Sequence, residues 1–309
     1  MSEACKLIDL SDWTPDEDNP IFPIGAQPKR LLVCPTPAPT PGLIAGHNYL
    51  FKVPPSWKRH QVWSEVIASI LGARLGVSVP RCFVARDAGG NVGALIEFFY
   101  RYADQVAGPD RFVHASDLLQ RTILDKKSGR PHSLKLNVRL CRALKIADAA
   151  TWWAKAIAFD ALIGNTDRHP QNWGVLVAGP GLQLRYSMAP AFDNGTSLGY
   201  ELQDDRIERP WDRARLENYI RRGTHHCSWE YGSMKGVGHA ELCRAFAQVD
   251  SEAGQTMQAV LNFEAEMVPH WCSWLKHVEI ENPLSDARLQ FVASLIDARR
   301  SRLTAVLGG

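Results

Sequence analysis

The chain reads as an α+β protein of two lobes, a small β-rich one followed by a larger helical one. Three observations predict this. Up to about residue 100, short apolar runs alternate with Gly, Pro and Asn/Asp turn signals, the pattern of strands. Beyond it, apolar residues recur at helical spacing through most of the remaining sequence. At the junction Trp173–Val177 and Leu182–Tyr186 flank Gly179-Pro180-Gly181, a hairpin set between helical segments. Taken in order, residues 1–20 are acidic and weakly periodic and read as a tail. Residues 21–100 form the small lobe: strands at Arg30–Val33 and Tyr49–Val53, a helix at Trp57–Leu75 closed by Gly76 and Pro80, and a hairpin of Arg81–Arg86 with Val92–Phe98. Residues 101–309 form the helical lobe, with helices near His114–Leu124, Asn137–Leu162, Asp212–Arg221, His239–Val249, Gly254–Glu266 and Ser285–Val306.

Composition excludes several classes. With 309 residues, 45% apolar content and 22% charged content, the chain has ample material for a core and is not disordered. Its 35 Lys and Arg against 33 Asp and Glu give a net charge of +2, without the basic excess of a protein that coats nucleic acid or a membrane surface. The seven cysteines are scattered and contain no CxxC, which predicts free thiols in a reducing cytoplasm. The longest uncharged stretch, Leu31–Phe51, is interrupted by Pro35, Pro37, Pro39 and Pro41 and is no membrane helix. The N-terminus is acidic rather than basic, so the expected location is cytoplasmic.

One loop carries the chemistry. The helix ending at Ile163 runs through Gly164-Asn-Thr166 into Asp167-Arg-His-Pro-Gln-Asn172, and then directly into the hairpin. Phosphoryl transfer needs a group to orient the acceptor hydroxyl, oxygen ligands to hold Mg²⁺ against phosphates, and positive charge for the transferred group. A carboxylate and an amide five positions apart across a short loop fit the first two roles. The bare Asp-x-x-x-x-Asn pattern is expected roughly once by chance in such a chain, and Asp160 with Asn165 matches it too. Arg and His directly after Asp167 reduce the chance to roughly one chain in a thousand. Asp160, inside an apolar helical run, is expected to be structural. Downstream, Phe192-Asp193-Asn-Gly195 places a second acid within reach of the same metal, although Asn-Gly alone reads equally as a turn.

In the small lobe Lys52 sits inside an apolar strand, where a snorkelling lysine is the ordinary explanation. The following helix contains Glu65, the single acid between Lys52 and Arg86, and a Lys held by a helical Glu is the ion pair that presents an ammonium to phosphates. Gly25-Ala26-Gln27-Pro28-Lys29 can lay N–H groups over phosphates, and a plain turn is the competing reading. Where the second hairpin strand joins the lobes, Glu97 and Phe98 are expected to offer backbone groups to an adenine ring. His225-His226-Cys227 looks metal-like but reads as a surface loop, since adjacent histidines do not readily share one ion. The tryptophans are expected in the core. Arg168 and His169 are expected to orient the loop through its backbone or through Asp193.

Together these segments resemble the HipA-like kinase family, the toxin-type serine/threonine kinases, in a short form without the extra N-terminal subdomain of longer members. The likeness rests on Gly25–Lys29, on Phe51-Lys-Val53 with the Glu65 helix and Leu75–Pro80, on Gly164–Asn172, and on Ala189-Pro-Ala-Phe-Asp193. Asp-Arg-His-x-x-Asn is also similar to the catalytic loop of phosphatidylinositol kinases. The resemblance implies a bilobal protein-kinase-like fold with ATP and Mg²⁺ as cofactors. Asp167 would be the base, Asn172 and Asp193 metal ligands, and Lys52 a phosphate contact. A protein Ser/Thr acceptor, with aminoacyl-tRNA synthetases among the targets of characterised members, and an antitoxin-type regulator are the implied partners. Neither nucleic acid nor membrane is expected to bind directly. Asn19–Ile24 lacks the serine that is phosphorylated before the glycine segment in several members. A lipid or small-molecule kinase and a nucleotide-binding pseudokinase scaffold are the competing functions.

Overall fold

The structure is a computed structural model that describes residues 7–16, 29–105, 107–181 and 183–308. The small lobe is a six-stranded sheet in the order β1-β5-β6-β4-β3-β2. Its strands are β1 (Ile8–Asp9), β2 (Thr14–Pro15), β3 (Lys29–Val33), β4 (Asn48–Lys52), β5 (Cys82–Arg86) and β6 (Val92–Glu97). All neighbours are antiparallel except β1 with β5. Helix α1 (Gln61–Leu75) crosses between β4 and β5 after a short 3-10 turn at Ser56–Lys58, and Gly76 ends it with a left-handed φ of 66°.

Of the segment expected to be a tail, the described residues 7–16 join this sheet. β1 and β2 pair with β5 and β3, and Ile8, Leu10 and Trp13 are buried in a cluster with Leu32, Tyr49 and Phe51. Strands of two residues are too short to show alternation, so their burial is decided by the neighbours they meet.

The helical lobe begins with β7 (Arg111–His114) and a single turn, α2 (Ala115–Leu118). Of the helix expected at His114–Leu124 only this turn forms; His114 itself ends β7, which β8 (Gly174–Ala178) pairs along its full length, Phe112 facing Leu176. β9 (Arg185–Met188) completes this second sheet. The long helix expected at Asn137–Leu162 is two helices, α3 (Leu134–Ala143) and α4 (Ala149–Ile163). Lys145 adopts a left-handed φ of 61° between them, and the break turns Ile146 into the core. Such a backbone conformation is costly for a side-chain-bearing residue and cannot continue a right-handed helix.

The rest is α5 (Asp204–Ile207), α6 (Arg213–Arg222), α7 (His239–Val249), α8 (Ser251–Val260), α9 (Met267–Cys272) and α10 (Asp286–Leu307). α8 starts earlier than the apolar pattern indicates because the Asp250 side chain accepts from the Ala253 N–H and caps it.

α4 is the axis of the helical lobe, with twelve of its 15 residues buried, among them Trp153, which meets Trp173 edge-on at 4.8 Å. α1 belongs energetically to this lobe too. Its Val66, Ile67 and Leu71 share one apolar cluster with α4 and α10, whereas β3 and β4 pack mainly in a separate cluster. Two further hydrogen bonds pin α1: Trp63 Nε1 donates to Asn282 O and Ser64 Oγ to Ser197 O. Glu65 therefore rides on an element anchored to the helical lobe, while Lys52 rides on the sheet. The six cysteines among the described residues are unbridged, and no helix among those residues is long and apolar enough to cross a membrane.

Candidate active site

The cleft between the sheet and the helical lobe gathers the charged residues. Lys52 is the last residue of β4, and its neighbour across the ladder, Ala94, is followed back along β6 by Gly93. A Cβ at Gly93 would stand 2.5 Å from the Lys52 carbonyl, so only glycine lets β6 pass this close. The Lys52 Nζ lies 3.2 Å from Glu65 Oε1 and 2.5 Å from Asp193 Oδ1. The second Glu65 oxygen accepts the Asn194 N–H at 3.0 Å, so one carboxylate clamps both the lysine and the backbone after Asp193. Asp193 itself holds a left-handed φ of 57°. Side-chain-bearing residues seldom adopt that conformation, and this clamp maintains it.

Burial opposes the charge on Lys52, but the carboxylates of Asp193 and Glu65 outweigh it and hold the ammonium above its ordinary range. Burial likewise works against the Asp193 carboxylate, yet Lys52 and then Lys29 bring it down to about 2. For Glu65, burial prevails over Lys52 and raises the carboxyl. Lys29 stands directly opposite Lys52 in the β3–β4 register, and burial lowers its pKa against the attraction of Asp193. Two cations thus face one firmly ionised carboxylate.

The loop from Gly164 to Asn172 leaves the C-terminal end of α4. Gly164 has φ 71°, and a Cβ there would overlap the Arg299 guanidinium. Glycine is required on both counts. Asn165 Oδ1 accepts the Asp167 N–H at 2.9 Å, a local turn that fixes the backbone carrying the Asp167 side chain. Asn172 Nδ2 donates to the Asp167 carbonyl at 2.8 Å, which leaves the Asn172 oxygen as the atom able to ligate. Burial raises the Asp167 carboxyl, opposed by His169, whose Nε2 is 3.6 Å away.

Arg168 ties these parts together, through backbone groups rather than through Asp193. Fully buried, it makes a two-oxygen pair with Asp160 at 2.7 and 3.0 Å. It also donates to the carbonyls of Asn172 and Phe192, at 3.0 and 2.5 Å, and to Asn194 Oδ1. Both segments that present the functional carboxylates are therefore held by one guanidinium. His225 Nε2 sits 3.1 Å from Asp160 Oδ2. Burial opposes the Asp160 charge, but Arg168 and His225 outweigh it and keep the carboxyl well below the usual range.

Several expectations change. His225, His226 and Cys227 are not a surface loop: all three are buried, with His225 on Asp160 and His226 Nδ1 2.9 Å from His132 Nδ1. The backbone of Glu97 and Phe98 is largely engaged within the protein. Glu97 N–H donates to Arg81 O, Phe98 N–H to Asn48 O, and Phe98 O lies 2.6 Å from His47 Nε2. Gly25, Ala26 and Gln27 lie outside the described residues.

The structure brings Lys29, Lys52, Glu65, Asp167, Asn172 and Asp193 together. Glu97 pairs with Tyr49, three residues before Lys52, a separation of roughly 10 Å along the strand. Sequence reasoning missed Asn165, Asn194 and His225. The Asp160/Asn165 coincidence was the available signal, because both halves of that second match serve as scaffold. It also missed the ring cluster beside Asp193, in which Phe192 stacks on Phe99 at 5.5 Å and meets Phe112 edge-on.

No cluster of three or more His, Cys, Asp and Glu able to hold a metal exists among the described residues. Asp193 and the Asn172 amide are hard oxygen donors that suit Mg²⁺, which takes its other ligands from water and phosphate, so the residues present fit that ion.

The family model for the HipA-like C-terminal domain matches residues 23–267, and the chain belongs to that family. Among solved structures it is similar to the Helicobacter pylori proinflammatory kinase CtkA, with TM-score 0.71 and 18% identity over 97% of this chain and 96% of that one. It is also similar to HipA of Shewanella oneidensis MR-1, solved in a toxin–antitoxin complex with HipB and operator DNA. There the TM-score is 0.56 and the identity 15%, over 95% of this chain and 66% of that one. These likenesses establish the bilobal kinase-like fold. No curated protein matches the chain in sequence.

Proposed function

We propose that the chain is an ATP-dependent protein kinase that phosphorylates a serine or threonine hydroxyl. The observation that supports this best is the meeting of Glu65 and Asp193 on Lys52, with the Asp167–Asn172 loop held beside them by Arg168. An ammonium pinned by two carboxylates is positioned rather than mobile, and positioning with charge neutralisation is most of what phosphoryl transfer requires of a protein. Lys29 and Lys52 would contact the phosphates. The base would lie against the segment after β6, near the Phe99 and Phe192 rings, with the Glu97–Phe98 strand end as its edge.

In the reaction the acceptor hydroxyl gives its proton to the Asp167 carboxylate as its oxygen bonds to the γ-phosphorus. The bond from that phosphorus to the bridging β–γ oxygen breaks, and ADP leaves with the negative charge. Mg²⁺, held by Asp193 and Asn172, would neutralise charge on the phosphates. The raised Asp167 carboxyl is a better proton acceptor than an ordinary aspartate. His169, at 3.6 Å, limits that rise. An antitoxin-type regulator and a target in the translation machinery extend the proposal to partners, and a cytoplasmic setting fits both.

The test is incubation of the chain with γ-labelled ATP, Mg²⁺ and cell lysate, with Asp167→Ala alongside. Label should enter protein as phosphoserine or phosphothreonine, and the variant should lose about 10²- to 10⁴-fold in rate. Transfer at the unaltered rate would remove Asp167 from its role, and label confined to lipid or small molecules would replace the substrate class.

A further inference from the structure

On the side of the helical lobe formed by the ends of α6, α7 and α10, a half-open cavity of about 340 Å³ lies against the last turns of α4. Arg221, Arg299 and Arg302 line it against a single acid, Glu241. Arg299 is 5% exposed, and burial lowers its pKa against the longer-range attraction of Tyr219 and Glu201. One guanidinium nitrogen donates to the Ala161 carbonyl at 3.2 Å, and Nε has no partner. His239, 7% exposed, also lines the cavity, and neither of its ring nitrogens has a partner.

Buried polar groups in folded proteins are nearly always hydrogen-bonded, and a buried nitrogen without a partner is costly. Two such side chains in the wall of one cavity indicate that the missing partner comes from outside the chain. The first turn of α7 supports this. Its N-cap is Gly238, which supplies no capping side chain. The N–H groups at the positive end of an 11-residue helix therefore border the same space.

We infer that this cavity is a binding site for a compact phosphate-bearing small molecule, held by Arg299 and the α7 N-terminus on the inside and by Arg221 and Arg302 at the mouth. A guanidinium fork matches two phosphate oxygens, helix N–H groups take a third, and His239 can donate or accept through either nitrogen. The site is separate from the cleft yet linked to it. The His239 ring is 5.6 Å from that of His225, which contacts Asp160, the partner of Arg168. Arg299 packs against Gly164, where the catalytic loop begins.

The site is tested on the full chain labelled at its histidine rings, with the His239 resonance assigned by His239→Gln. Inorganic phosphate is titrated at neutral pH and constant ionic strength, with acetate in a parallel series. Because the signal is local, phosphate bound in the cleft does not imitate it. The expected result is a saturable shift of the His239 resonance with phosphate, weaker with acetate. It should move at least tenfold to higher concentration in an Arg221→Gln/Arg302→Gln double variant, whose two positions are exposed and whose folding is checked by its melting curve. No saturable shift at millimolar phosphate, an unchanged titration in the folded double variant, or acetate binding as tightly as phosphate would each overturn the assignment.

Discussion

Asp160→Asn keeps the size of the side chain but removes its charge and turns one acceptor oxygen into a donor, which makes it a probe of how the catalytic loop is held. The carboxylate sits at 2.7 and 3.0 Å from the Arg168 guanidinium, and both side chains are fully buried. The amide keeps the shape and one acceptor oxygen, but Arg168 is left as a buried cation hydrogen-bonded to neutral groups, with Asp193 and Asp167 acting only at longer range. Removing one partner of a buried ion pair costs about 3–5 kcal/mol, a large part of the roughly 5–15 kcal/mol that keeps a domain folded. Urea unfolding followed by circular dichroism should therefore show a clearly lower midpoint. A second Arg168→Gln substitution should recover part of the loss, because the unpaired charge disappears with it. Arg168 also holds the Asn172 and Phe192 carbonyls, so folded Asp160→Asn should transfer phosphate slowly while retaining nucleotide affinity. A destabilisation below about 1 kcal/mol, with an unchanged rate, would refute the idea that this pair fixes the loop.

Other outcomes follow from the same geometry. Lys52→Met should lower kcat by about 10²- to 10³-fold, the usual loss when a preorganised charge donor is removed, and steady-state kinetics check it. Because burial raises the Asp167 carboxyl, kcat/KM should fall on the acid side through a pKa above that of an ordinary aspartate, as the base becomes protonated. A pH–rate profile locates that limb. Asp193 is depressed to about 2, so its stabilising contribution is present above the unfolded value near 3.8 and is lost as pH falls toward 2. The stability gap between the native chain and Asp193→Asn, measured by urea titration, should close over that interval. Gly164 holds φ 71° against the Arg299 guanidinium. Gly164→Ala should cost roughly 1–3 kcal/mol by the same method.

The sequence makes some of this legible, for identifiable reasons. β4, β5, β6 and α1 are visible because each is an apolar run of the right length bounded by turn residues. β1, β2 and β7 are invisible because a strand of two to four residues at a sheet edge takes its conformation from its partner. α3 and α4 read as one helix because Lys145 and its neighbours carry no Gly or Pro to mark the break. Within the site, Lys52, Glu65, Asp167, Asn172 and Asp193 announce themselves by residue type and setting. The scaffold does not. Asp160 reads as structural without showing what it holds, and His225 as a loop residue, because their contact spans 65 residues that periodicity does not encode. The engagement of the Phe98 backbone by Asn48 and His47 is hidden for the same reason.

A crystal structure of the chain with Mg²⁺ and a non-hydrolysable ATP analogue tests the central claim most directly. The terminal phosphates should lie against Lys52, with the metal bound by Asp193 and the Asn172 oxygen and the Asp167 carboxylate facing the γ-phosphate. A nucleotide seated elsewhere, or phosphates out of reach of Lys52 and Asp193, would contradict it.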